Sequence, residues 1–509
     1  MLNIFLKRAL IVVLLMSVHF FYAQTSTIPE QKTQLGFGQI DFLSIKMPDG
    51  EENMDYTGLH YNLKLNDWSY AGVGLYGAVG GIRGGFFTLG VNAGIQQKIT
   101  DKLFVDAGLH FGGGGGKSAP DGGGAFILPH LNLGYDFKHF SATAGYSYVD
   151  FFDGGTINSS QFNVAVQIPL SFKIADFKER ENSFSIDDLK TSSWNALSNR
   201  ISLLMHLNNA YVTKGSYEGN TIRLAGFELN SYITDDIFFF VRADGAYHGI
   251  KAGYMDVFLG GGYHLSMNKN RTNILAKFGV GAGGGGGVDT KGGFLIYPDL
   301  SIEQKLFGNV YASVNKGYMM SPNSHFVSST YGLGLKYYVD RDGIFSERED
   351  LEFSEGKFKG FETIIKQDLY LNAARDDGFN QNMHQISLQL NFFLNKYLYA
   401  AGQTSFADFG GAGAYAEGIV GLGAQSNEFF NEKTSIFVQV LGGAAGGGGI
   451  STGQGLIVKP SIGVNQKLTN KLSLRLGAGY VKAKGGNLSN TQLNLGISYR
   501  FTFLSVKNL

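Results

Sequence analysis

The stretch 491-TQLNLGISYRFTF-503 alternates without a break. Side chains on a strand point to opposite faces with a period of two. Leu493, Leu495, Ile497, Tyr499, Phe501 and Phe503 therefore share one face, and Gln492, Asn494, Gly496, Ser498, Arg500 and Thr502 share the other. "LFVDAGLHF" (103–111) and "FTLGVNAGIQ" (87–96) repeat the pattern. Alternation over roughly 9–11 residues is what a strand needs to cross a bilayer with one face on lipid and one on a lumen. A soluble sandwich also alternates, but its wet face is rich in Lys, Glu and Thr. Here the non-apolar face is mostly Gly, Ser, Asn and Gln. The pattern predicts an all-β transmembrane barrel, since an open sheet edge in lipid leaves N–H and C=O groups unpaired.

The chain also repeats itself. "FGGGGGKSAPDGGGAFILPHLNLGYDFK", "AGGGGGVDTKGGFLIYPDLSIEQKLF" and "AAGGGGISTGQGLIVKPSIGVNQKLT" each carry a glycine run, a variable stretch and a strand broken by one proline. The prolines, Pro129, Pro298 and Pro460, lie 169 and 162 residues apart. Each is followed by a Gly-Tyr pair ending in Tyr146, Tyr318 or Tyr480. "GLHFGGGGGKSAP" (108–120) looks like a phosphate loop, but Phe111 stands where the pattern needs its first glycine. The other copies place Val288-Asp289 and Ile450-Ser451 at Lys117-Ser118, between strands. A glycine-rich hairpin end is the better reading.

Residues 1–23 place Lys7 and Arg8 before an apolar run that ends at Ala23, the pattern of a secretory signal peptide. No cysteine is present, which excludes lipid attachment at the cleavage site and a disulfide framework. Without Lys7 and Arg8, 42 basic residues become 40 against 42 acidic, a balance that gives no nucleic acid partner. No apolar stretch after residue 23 reaches the roughly 18 residues of a spanning helix.

Each repeat reads as eight strands, with repeat 1 over 34–174, repeat 2 over 199–339 and repeat 3 over 358–509. Periplasmic linkers 175–198 and 340–357 join them. Turns such as "LNDW" and "ITDK" are short at one end, and "MPDGEENMDYT" and "GAVGGIRGG" are long at the other, the outer-membrane arrangement of periplasmic turns and exterior loops. The chain resembles outer-membrane β-barrel proteins common in Bacteroidota, on its "FYAQ" signal end, alternating strands and aromatic final strand "ISYRFTF". The resemblance implies Sec-type export, location in the Gram-negative cell outer membrane, and insertion by the barrel-assembly machinery. It implies no substrate.

Two closures are open: one wall of about 24 strands, or three eight-stranded barrels. Eight strands leave an interior just wide enough for side chains to fill, and the glycine-heavy inner face favours the single wall. So wide a lumen needs occlusion by loops, linkers, or a plug or surface protein partner. Glycine-rich loop ends at Gly112, Gly116, Gly283, Gly287, Gly446 and Gly449 are candidates, because glycine permits close backbone approach. Asp106, His110, His130, Lys277, Asp299, Gln439, Ser461 and Arg475 are candidate lumen-lining residues. Lys277 and Gln439 align with Asp106 on the glycine runs. His130, Asp299 and Ser461 have the residue types of a hydrolase triad, but roughly 38 Å of wall separates copies eight strands apart. No catalytic residue, metal ligand set or cofactor is assigned, and the chain does not read as an enzyme. Tyr146, Tyr318 and Tyr480 are placed in an aromatic girdle. The expected function is a porin-like channel or translocation component in contact with the lipid bilayer. The alternative is a non-conducting structural or adhesive protein with ligand-contacting surface loops.

Overall fold

The structure, a computed structural model, describes residues 27–195, 200–340 and 353–508. The expected signal peptide, and residues 341–352 of the second linker, lie outside the described residues. After a short strand β1 (Lys32–Gln34), the first barrel runs β2 (Gly36–Ile45), β3 (Met54–Lys64), β4 (Ser69–Ala78) and β5 (Phe87–Lys98). It continues with β6 (Leu103–Gly115), β7 (Phe126–Asp136), β8 (Ser141–Phe151) and β9 (Asn158–Pro169). The connection that follows holds β10 (Phe172–Ile174), β11 (Ser183–Ser185) and a one-turn helix α1 (Ile186–Lys190).

The second barrel is β12 (Ile201–Lys214), β13 (Thr221–Tyr232), β14 (Ile237–His248), β15 (Met255–Met267), β16 (Thr272–Gly284), β17 (Phe294–Phe307), β18 (Val310–Met320) and β19 (Val327–Asp340). The third is β20 (Phe353–Ala373), β21 (Gln381–Phe393), β22 (Leu398–Phe409), β23 (Ala416–Gln425), β24 (Thr434–Gly446), β25 (Leu456–Lys467), β26 (Leu472–Ala483) and β27 (Ser489–Asn508). Every neighbouring pair is antiparallel, and first and last strands meet as β2–β9, β12–β19 and β20–β27.

Three closed eight-stranded barrels therefore replace the single wall favoured by the sequence. The physical reason lies across the strands. Tyr70, Phe238 and Tyr399 sit at one repeated position and pair with Gly94, Gly262 and Gly423. A Cβ on any of these glycines would fall on the facing ring. The inward glycines thus make room for large aromatic side chains, a device that fills a small barrel.

Polarity is inside out. On β27, Gln492, Asn494, Ser498, Arg500 and Thr502 are buried, while Leu493, Leu495 and Ile497 are 42–54% exposed. Leu131, Leu133, Phe162, Leu333 and Leu422 continue the outer apolar surface. Phe501 and Phe503 share the outward face but are buried, because they meet Ile174 and Val339 where the barrels converge at the short-turn end. No described helix is long and apolar enough to cross a membrane.

The proline of each copy opens the same ladder. Pairing with the next strand skips two residues between Ile127 and His130, between Ile296 and Asp299, and between Val458 and Ser461. Proline has no N–H to donate, so the gap falls beside it.

The barrels are joined into a ring by the glycine runs. A Cβ on Gly113 would lie 2.5 Å from the Ala407 carbonyl of the third barrel. One on Gly284 would lie 2.8 Å from the Gly84 carbonyl of the first, and one on Gly446 would lie 2.6 Å from Ala252 of the second. The same strand of each barrel presses on the same strand-to-loop edge of the next, a head-to-tail contact that closes after three steps. The glycine runs are thus seams between barrels, not inward plugs.

Leu131 lies at mid-height on the outer face, so Leu131→Lys should cost about 2–4 kcal/mol in urea unfolding from lipid vesicles. Gly446→Leu should overfill one seam at about 1–3 kcal/mol, read as a lower unfolding midpoint.

Candidate functional site

The eight predicted lumen residues all point into barrel interiors, but into three separate ones. In the first barrel the Asp106 carboxylate accepts from the Tyr70 hydroxyl at 2.9 Å and from the Gln167 amide at 2.8 Å. His130 stands 3.5 Å from Asp106, and His110 bonds to Asn92. Asp41, which the sequence reading missed, lies 3.0 Å from His60 and accepts from Tyr76 at 2.7 Å.

In the second barrel Lys277 bridges Glu228 at 2.8 Å and Asp299 at 3.1 Å. Asp244 is held by Arg242 at 2.6 Å and His206 at 2.5 Å, and Lys336 pairs with Glu303 at 2.8 Å. In the third, Lys459 bridges Asp368 at 3.0 Å and Glu417 at 3.1 Å. Arg475 donates to Asn465 and Gln439, each at 3.1 Å, and its guanidinium lies 3.3 Å from the Phe437 ring centroid. Ser461 is buried opposite Gln439. Most of these partners sit on strands whose alternation was legible, yet which strands face each other across a lumen depends on the closure.

Apolar layers cap the polar middles. Tyr56, Tyr76, Phe86, Phe126 and Phe151 pack at the long-loop end of the first barrel. At the short-turn end of the third, Phe177 from the 175–195 connection packs 5.1 Å from Phe393, with the Arg180 guanidinium over it at 4.5 Å. That connection folds against the extended β20–β27 ribbon through Phe184, Leu189, Trp194, Phe358 and Leu504. Ser185 caps α1 by accepting from the Asp188 N–H, as a helix start requires.

The ladder corrects two alignments. Pro129, Pro298 and Pro460 pair with Leu109, Phe278 and Val440. Gly108, not Asp106, therefore stands level with Lys277 and Gln439. Likewise Ser147-Tyr148 occupies the position of Gly317-Tyr318 and Gly479-Tyr480. Tyr148 is thus level with Tyr318 and Tyr480, and Tyr146 lies at mid-strand; all four are on the outer surface. Gly116 to Pro129 spans 13 positions against 11 for Gly287 to Pro298 and Gly449 to Pro460, so two extra loop residues displaced the first copy.

Of the glycine positions, Gly112, Gly283 and Gly446 lie within strands. The Gly116 N–H donates to Asp121 at 2.9 Å. Gly287 lies against Tyr217, and the Gly449 carbonyl accepts from the Asp376 N–H at 2.9 Å.

A large cavity lies between the barrels. It measures about 2070 Å³ and is walled by outward-facing residues of all three, including Leu59, Val73, Leu203, Val257, Ile365 and Leu388. Phe87, Leu89, Ala282 and Phe406 close in at the long-loop end, and Ile174, Val339, Phe501 and Phe503 at the short-turn end. Among the described residues no group of three or more His, Asp or Glu is arranged to hold a metal ion.

These features define a membrane-spanning β-barrel protein of the outer-membrane kind, with three filled barrels in one chain. No protein-family model matches the chain, and no curated protein does. Among solved structures it is similar to Pseudomonas aeruginosa OpdQ, at 10% identity over 93% of this chain and 98% of that one, with a TM-score of 0.22. It is similar to the siderophore receptor PirA from Pseudomonas aeruginosa at 8% identity over 94% and 81%, with a TM-score of 0.27. The figures for Acinetobacter baumannii OccAB4 are 11% identity, 94% and 100%, and 0.23. Likeness at these scores carries no argument, and the class rests on the geometry.

Asp121 lies in the loop at the seam between the first and third barrels, where the Gly413 N–H donates to the Gly122 carbonyl at 3.3 Å. Burial pushes its carboxyl up to about 7. A raised acid binds its proton more tightly folded than unfolded, so its stabilising effect is full below about pH 4 and is lost as pH rises through 7. The unfolding midpoint should therefore fall between pH 5 and pH 8 by more in the parent than in Asp121→Asn. A second check is Lys277→Met, which leaves Glu228 and Asp299 buried without their cation and should cost about 3–5 kcal/mol in the same assay.

Proposed function

We propose that this protein is an outer-membrane transport component that carries apolar or amphiphilic molecules in the space between its barrels. The single observation behind this reading is an apolar chamber of about 2070 Å³ lined by three barrels whose lumens hold buried ion pairs. Protein interiors rarely contain voids larger than a water molecule, and a large apolar void takes apolar guests. Water and ions have no comparable reason to enter it. Export through a signal peptide at residues 1–23 and insertion by the barrel-assembly machinery belong to the same reading, with the short turns on the periplasmic side.

The filled lumens also favour a second reading, a non-conducting structural protein whose chamber is only a gap between round objects. Two measurements separate these from each other and from a channel. In planar bilayers the full chain should pass no large stepwise current, and Phe177→Gly should stay silent too, because the ion pairs remain. Transfer of a fluorescent fatty acid between vesicle populations should speed up when the protein is present. Stepwise currents would return the function to the lumens; silence together with unchanged transfer would leave the structural reading.

A further inference from the structure

The walls of the chamber are apolar along most of their height, but at the short-turn end polar groups stand beside the apolar layer of Ile174, Val339, Phe501 and Phe503. Gln34, Lys64, Thr469, Asn470, Lys471 and Tyr499 all line it there. They form one small patch. The Tyr499 hydroxyl donates to Gln34 Oε1 at 2.7 Å, and Gln34 Nε2 donates to the Lys64 carbonyl at 3.4 Å. The Lys471 ammonium lies 5.9 Å from the Tyr499 ring centroid. Neither Lys64 nor Lys471 has an ion-pair partner among the described residues, whereas nearby Lys32 is paired with Asp176 at 2.8 Å. The uncompensated charge at this rim is positive.

We infer that the chamber holds the acyl chains of an anionic phospholipid drawn from the periplasmic leaflet, with its headgroup phosphate on Lys64 and Lys471. This rests on the transport reading above and names its cargo. The match is one of charge and depth together. The short turns lie at the level of the headgroups when the strands cross the hydrocarbon. Lysines beside an anionic leaflet attract its headgroups. Chains entering past Leu65, Ile201 and Phe172 meet apolar wall, and the phosphate stops where the lysines are. A neutral lipid gains the first contact and not the second, so the site selects by headgroup. The interior also has room: a Cβ on Gly418 meets nothing within 4 Å, and one on Gly402 meets only Val420 at 3.9 Å.

The experiment uses the full chain reconstituted in vesicles of phosphatidylcholine with phosphatidylglycerol, re-extracted in detergent and washed. Retained lipid is counted by mass spectrometry, and each variant's unfolding midpoint is recorded to confirm that it is folded. The parent should retain phosphatidylglycerol in preference to phosphatidylcholine. Lys64→Gln with Lys471→Gln should lower that preference roughly thirtyfold, the scale set by two lysines at an anionic surface, while still retaining lipid. Gly418→Phe, which occupies the chamber, should lower the retention of both lipids. Retention without headgroup preference, or a preference indifferent to the two lysines, overturns this assignment and leaves the chamber as a carrier of apolar chains. A parent that retains no lipid, or a folded Gly418→Phe that retains as much as the parent, overturns the transport reading itself.

Discussion

Backbone amides in hydrocarbon have no water to turn to, so every N–H and C=O must find its partner inside the protein. Closure meets that demand three times in this chain, at β2–β9, β12–β19 and β20–β27. The rest follows from the small number of strands in each closure. Eight strands leave an interior that side chains must fill, and here aromatic rings over cross-strand glycines and networks of ion pairs fill it. A barrel so filled is stiff and round, and round bodies side by side touch along lines and leave a gap between them.

The lumens also explain how charged residues survive at membrane depth. Lys277 meets Glu228 and Asp299, and Lys459 meets Asp368 and Glu417, so each central ammonium is shared by two carboxylates. Burying an ion pair contributes little net stability, but removing one member leaves an uncompensated charge that costs far more. These networks therefore act as locks on register. A strand slipped by one residue would turn them toward lipid and the outer leucines toward the lumen.

Much of this was legible along the chain. Alternation identified both faces of β27, down to Leu495 outside and Arg500 inside. The repeat was visible at Pro129, Pro298 and Pro460, and the eight proposed lumen residues do face inward. What was not legible depends on neighbours across the sheet. That Gly94, Gly262 and Gly423 accommodate rings appears only once Tyr70, Phe238 and Tyr399 are placed opposite them. The glycine runs align well as text, but two extra residues in the first loop put Asp106 level with the wrong partners. Phe501 and Phe503 have the chemistry of lipid-facing residues yet are covered by another barrel. Nothing in a single strand distinguishes hydrocarbon from a neighbouring barrel, because to a phenylalanine the two are nearly the same solvent.

That equivalence bears on whether the chamber is a by-product. Three round barrels leave a gap unless side chains close it, and the ends show that they can: Phe87, Ala282 and Phe406 cluster at one end, and Phe501 and Phe503 pack with Ile174 and Val339 at the other. Between these layers the lining includes Ala71, Ala225, Ala243, Gly261, Gly402 and Gly418, where the lipid-facing walls carry Leu131, Leu133, Phe162, Leu333 and Leu422. Exchanging those small residues for leucine would have filled the space with protein and gained dispersion contacts on every wall. Leucines, valines and phenylalanines line the chamber too, but small residues stand among them, and there the wall keeps room for a guest. The bilayer is the nearest source of one.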